Sequence, residues 1–132
     1  MFLVNKSMRM YKRAVKLLSE KCPPPRLPVK VRRVRLKRGI DGDCEKCVGH
    51  YYIRINRNLS ESEAIDTLIH EWAHALSWSI RGDDHCDEWG KAYSRVYRVF
   101  LKDCLEPIIA ENAKRKKKGF QCTNDSLIKL DE

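Results

Sequence analysis

The chain has 132 residues, 42% of them hydrophobic and 34% charged, with a net charge of +9. That is the make-up of one soluble globular domain with a working core, and it leaves no room for a membrane span or a second module of any size. Residues 1–40 carry thirteen Lys and Arg against Glu20 alone, whereas residues 41–113 carry eight against fourteen Asp and Glu, so the positive charge is gathered at the ends, where it suits a polyanion, nucleic acid first.

Met1–Val4 is too short an apolar stretch for a signal-peptide core, so a cytoplasmic or nucleoid-associated protein is expected. Its six cysteines are then reduced thiols or metal ligands, not a disulfide framework.

Between about Asn5 and Lys21 the residues Met8, Tyr11, Val15 and Leu18 recur at helical spacing with Lys12, Arg13 and Lys16 on other faces, which predicts a core-facing helix with a basic exterior. Pro23-Pro24-Pro25 ends it and acts as a stiff connector. Val29–Lys37 reads as a strand whose alternation slips between Val31 and Val34, and a bulge would reconcile the two phases. In that reading Lys30, Arg32, Arg33, Arg35, Lys37 and Arg38 line exposed surface, where they contact phosphate or guard a sheet edge.

Gly39–Gly49 reads as a turn-rich connection. It carries Cys44-Glu45-Lys46-Cys47, with His50 three further on, a spacing that suits half of a second zinc site but lacks an obvious second half. His50–Asn56 resumes strand character, with Tyr51, Ile53 and Ile55 on one face and Tyr52, Arg54 and Asn56 on the other. This strand leads straight into the next helix, so its edge is a candidate for pairing with an extended peptide.

Ser62–Ser79 has Ile65, Leu68, Ile69, Trp72 and Leu76 at three- and four-residue intervals, an amphipathic helix that Ser60 or Ser62 can cap, with Ser60 and Glu63 forming a capping-box pattern. On it lies His70-Glu71-Trp72-Ala73-His74. Residues four apart stand one helical turn above each other, so His70 and His74 can offer two imidazole nitrogens to one Zn2+ ion, and Glu71 can move a proton between an attacking water and a leaving amine. Gly82 permits a turn, Asp83 or Asp84 can cap, and a return helix is expected from about His85 to Leu105, packed through Trp89, Ala92, Tyr93, Val96 and Phe100 and ending before Pro107. His85, at the turn, is the expected third ligand, with Glu88 and then Asp84 behind it. Ile108–Ala113 reads as a short helix, Lys114–Lys118 as a mobile basic tail reaching to residue 132, and Ser126–Leu130 as loose chain or a terminal strand.

The run from Ile53 through Leu68–Leu76 to His85-Cys86-Asp87-Glu88-Trp89 resembles the SprT-like zinc metallopeptidases, in which a helix bearing H-E-x-x-H is followed by one opening with histidine and carrying an aromatic four residues on. The resemblance implies a single α+β, zincin-like domain over residues 1–113: an N-terminal helix, a small mixed or antiparallel sheet, the motif helix and a return helix. It implies His70, His74 and His85 as zinc ligands, Glu71 as catalytic acid and base, and a protein or peptide substrate, in some relatives one crosslinked to DNA. Basic residues 6–38 and 114–118 would then meet the DNA, with no membrane partner and a monomeric chain. Cys86 stands where relatives usually have glycine, and their zinc ribbon is missing. Ser77 stands where a metzincin would have glycine. The alternative reading is a non-catalytic nucleic-acid-binding protein with a structural zinc. A third, an adaptor that binds its partner through the basic helix and strand, needs no metal.

Overall fold

The computed structural model describes residues 8–81 and 85–119. Its elements run α1 (Arg9–Lys21), β1 (Val29–Val34), β2 (Gly42–Cys47), β3 (His50–Asn56), α2 (Glu61–Arg81), α3 (Asp87–Phe100), a π-helical turn over Leu101–Leu105, and α4 (Glu106–Gly119). This is a small α+β domain with a mixed three-stranded sheet. The turn expected at Gly82–Asp84, and with it Asp84, falls outside the described residues, as does 126–130.

The core forms where the apolar faces of α1, α2 and α3 meet the sheet. Met8, Tyr11, Ala14 and Leu18 of the α1 segment, Ile53 and Ile55 of β3, Leu68, Ile69 and Trp72 of α2, and Val96 and Phe100 of α3 are all buried together. Trp72, fully buried, donates from its indole Nε1 to the carbonyl of Cys22 at 2.8 Å, so the largest core side chain also satisfies the frayed end of α1.

The strand order is β1-β3-β2, with β1 parallel and β2 antiparallel to β3. Two expectations change here. β3 is the central strand with both edges paired, so it cannot accept an extended peptide; the sheet's outer edges belong to β1 and β2. The stretch expected to be a loop at Gly42–Cys47 is a strand, held in register opposite Ile55–His50 and fastened by Arg54, whose Nε donates to Asp43 Oδ1 at 2.9 Å while its other nitrogen pairs with the second carboxylate oxygen.

β1 pairs without a slip from Val29 opposite Tyr51 to Val34 opposite Asn56, so no bulge is present. The phase problem is solved by a side chain instead. Arg33 lies on the same face as Val29 and Val31, and its Nη2 donates to the carbonyls of Arg57 and Leu59, both at 2.9 Å, and of Asn56 at 3.3 Å. Its guanidinium sits 5.5 Å from the Tyr11 ring centroid. Arg33 is therefore a clamp on the β3–α2 connection and not part of the exposed basic surface, which Lys30 and Arg32 do join.

At the start of α2 the capping box forms as its pattern predicts. Ser60 Oγ accepts from Glu63 N at 3.2 Å, and Ser60 N donates to Glu63 Oε1 at 3.0 Å. These bonds favour the ionised carboxylate and lower the Glu63 pKa, the Ser60 backbone N–H most. Ser60→Ala is expected to cost about 1 kcal/mol, read as a lower thermal midpoint. Because the Glu63 pKa is lower folded than unfolded, its contribution is complete above the unfolded value and fades as pH falls through the folded one. The deficit of Glu63→Gln should therefore shrink in acid, read from the thermal midpoints of the two proteins across pH.

The return helix does not stop before Pro107. Glu106 N donates to the carbonyl of Leu101, five residues back, and the widened turn carries the chain past Pro107 into α4. Proline has no N–H to give and its ring crowds the preceding turn, and a π-turn accommodates both defects. α4 then continues through Lys114–Lys118 to Gly119, so the basic run is helical over those residues. No helix among the described residues is long and apolar enough to cross a membrane.

Candidate metal centre

α2 presents His70, Glu71 and His74 on the side facing β2 and the start of α3. The two histidine rings stand one turn apart, centroids 5.0 Å apart. His85 comes from the short segment before α3, which Cys86 opens as N-cap, and its Nε2 lies 3.1 Å from the Nε2 of both His74 and His70. Among the described residues these three are the group of side chains whose ligand atoms converge, all within 4.8 Å of one another.

Three imidazole nitrogens meeting at one point form a poor hydrogen-bonding group by themselves. Each neutral ring has one N–H and one lone pair, so a shared proton can join two nitrogens but leaves the third facing a lone pair or an N–H without a match. A cation at the centre satisfies all three, so the trio fits a metal ion. His70 also suits that role by protonation, since burial first and the nearby His85 second lower its pKa and favour its neutral form.

Burial differs across the site. His74 is 4% and Glu71 8% exposed, His70 is half-buried and His85 is exposed. His74 is thus inside the protein, which leaves His85 on the open side. Trp89 roofs the trio, its ring centroid 5.1, 5.6 and 4.6 Å from those of His70, His74 and His85. Its Nε1 donates to the His70 carbonyl at 3.2 Å, which ties α3 to the motif.

Beside the trio opens a cavity of about 590 Å³ that Glu71 and His70 line together with Gly42, Asp66, Thr67 and Tyr93. Gly42 is required there by space. A side-chain carbon on it would lie 2.6 Å from Thr67 Cγ2 and 2.7 Å from the Arg54 carbonyl oxygen, so only glycine lets β2 start this close to α2.

Two expected candidates are elsewhere. Glu88 is exposed and lines a separate cavity with Leu76, Lys91 and Arg95, so it is not grouped with the imidazoles. Cys44 and Cys47 lie three apart on a strand, where successive side chains alternate, and so fall on opposite faces of the sheet. They cannot close on one ion as a C-x-x-C turn does. Cys44 faces the core, and burial, followed by the charges of Glu71 and Asp43, pushes its thiol up to about 12. All five cysteines among the described residues are free thiols.

Of Tyr51, Tyr52 and Tyr93, which the sequence does not distinguish, Tyr93 is the one that lines the cavity beside the trio. Tyr51 lines a different cavity with Leu76 and lies 6.0 Å from the ring of Trp78, and Tyr52 is on the opposite face of β3 beside His50.

The sequence profile of the SprT-like family fits residues 7–113. No curated protein matches the chain.

Proposed function

The chain belongs to the SprT-like family, and on that footing we propose that it is a zinc-dependent metallopeptidase, with His70, His74 and His85 as ligands and Glu71 as the acid and base. The observation that carries the reading is the convergence of three Nε2 atoms beside a cavity that a buried carboxylate also lines. Zinc matches the spacing. Zn–N bonds of about 2.0–2.1 Å in a tetrahedral set put neighbouring nitrogens about 3.3 Å apart, close to the 3.1 Å between His85 and each of the other two histidines.

When bound, zinc supplies Lewis acidity to the scissile carbonyl and to the attacking water. The rest falls to the chain. Glu71 accepts a proton from the water as its oxygen bonds to the carbonyl carbon. It then gives that proton to the nitrogen as the C–N bond breaks, leaving a carboxylic acid and an amine. The outer edge of β2, starting at Gly42 beside the cavity, offers main-chain donors and acceptors to an extended peptide, which favours sequence-tolerant cleavage.

The basic ends support a DNA-associated substrate. Arg9 and Arg13 of α1 and Arg115 of α4 line one groove together with Glu61 and Glu111, so two basic segments far apart in sequence share a surface whose net positive charge supports contact with phosphates.

The test is metal content by elemental mass spectrometry on protein purified without added metal, followed by hydrolysis of an unfolded protein with and without single-stranded DNA. One zinc per chain, and hydrolysis stopped by a chelator and restored by zinc, are expected, with faster cleavage on DNA at low salt. A chain that binds no zinc even when it is offered overturns the reading.

A further inference from the structure

We propose that Tyr93 is the hydrogen-bond donor to the carbonyl oxygen of the scissile peptide as negative charge gathers on it. The proposal rests on the metallopeptidase reading and adds to it a residue that lies outside the H-E-x-x-H motif and its third histidine.

The need for such a donor follows from the site. When water adds to the carbonyl carbon, the π electron pair moves onto oxygen, and the cavity where this happens is lined by the carboxylates of Asp41, Asp66 and Glu71. Those groups oppose the developing charge. Donors aimed at an oxyanion contribute most where their positions are fixed before reaction. Two lining side chains carry a neutral hydroxyl, Thr67 and Tyr93. Thr67 has its methyl packed against the Gly42 backbone and is held to the helix wall. Tyr93 comes from α3, the other helix that lines the cavity.

Its ring is also held in place from the metal site outward. Tyr93 stacks on Trp89 with centroids 5.2 Å apart and planes 4° from parallel. Trp89 is fixed by its bond to the His70 carbonyl and its contacts with all three imidazoles. On its other side Tyr97 lies at 6.2 Å. The spacing 85, 89, 93, 97 is one residue per turn, so a single row of rings leads from the third ligand along α3. A phenol mounted on that row moves with the ligands and not with a loop.

The other tyrosines serve elsewhere: Tyr51 and Tyr52 as described, Tyr97 one turn further from the metal, and Tyr11 buried under Arg33.

The test is Tyr93→Phe, which keeps the ring row and removes the hydroxyl, with Tyr97→Phe as control. Tyr93→Phe should retain one zinc per chain and a KM within about twofold, lose about 100-fold in kcat, and bind a phosphinic pseudopeptide, whose tetrahedral phosphorus carries an anionic oxygen, about 100-fold more weakly. Tyr97→Phe should match wild type in each measurement. Wild-type kcat and pseudopeptide affinity in Tyr93→Phe overturn the proposal, and so does loss of zinc, which would make the residue a structural support. Wild-type protein that binds zinc and hydrolyses nothing overturns the metallopeptidase reading and this one together.

Discussion

Glu71→Gln is expected to lower kcat at least 100-fold, on the order of what a positioned general base contributes, while the variant keeps one zinc per chain and an unchanged melting temperature in the metal-bound form. The substitution preserves shape and one acceptor oxygen but removes the ability to accept a proton, so it isolates proton transfer from packing. Glu71 is a favourable residue for this because it lines the cavity beside His70 but is not among the converging nitrogens. The outcome also decides between the two uses of a bound metal. A structural zinc in a nucleic-acid-binding protein has no need of a base, so Glu71→Gln would leave every measurable property near wild type. Turnover and DNA binding should therefore separate in this variant, the first collapsing and the second intact.

The parts of the fold legible in the sequence are those decided over one or two helical turns. The capping box at Ser60 and Glu63, the apolar stripe of α2 and the stacking of His70 over His74 all follow from residues within four of each other, and each formed as its spacing dictates. His85 was legible only through its place at the turn that brings the chain back to two ligands already waiting, since a histidine ahead of a helix is by itself unremarkable. β2 was illegible because Gly42-Asp43-Cys44 has the composition of a turn; pairing along β3 and the Asp43–Arg54 bridge make it a strand, and neither is visible locally. Pro107 ended the predicted helix for a sound reason, and the π-turn that bypasses it has no local signature. Tyr93 could not be told from Tyr51 and Tyr52 because the choice depends on which side of α2 each sheet face and helix face meets. Arg33 is the sharpest case, since its charge argued for solvent while its place in β1 put it on the core face.

That difference makes Arg33 the second large expected effect. Arg33→Ala should reduce unfolding free energy by about 2–4 kcal/mol, since it removes a cation that satisfies carbonyls of the β3–α2 connection and strands part of them without donors. Urea unfolding measures this as a lower midpoint at unchanged slope. Arg33→Lys should recover only part of this, because an ammonium can donate to the carbonyls that Nη2 serves but, as a compact charge on a flexible stem, does not hold the fixed planar position beside the Tyr11 ring. A phosphate-contacting arginine behaves in the opposite way: its removal leaves stability alone, weakens DNA binding and lowers the salt slope by about one. Arg32, exposed next to it on β1, is the internal control, and on the proposed DNA-associated reading its removal should show that second pattern. The same clamp reaches the chemistry, because Leu59 precedes the cap of α2, and His70, Glu71 and His74 all ride on that helix. A stable background carrying Arg33→Ala should therefore show a lower kcat with zinc still bound, as the helix loses the connection that sets its angle against β2.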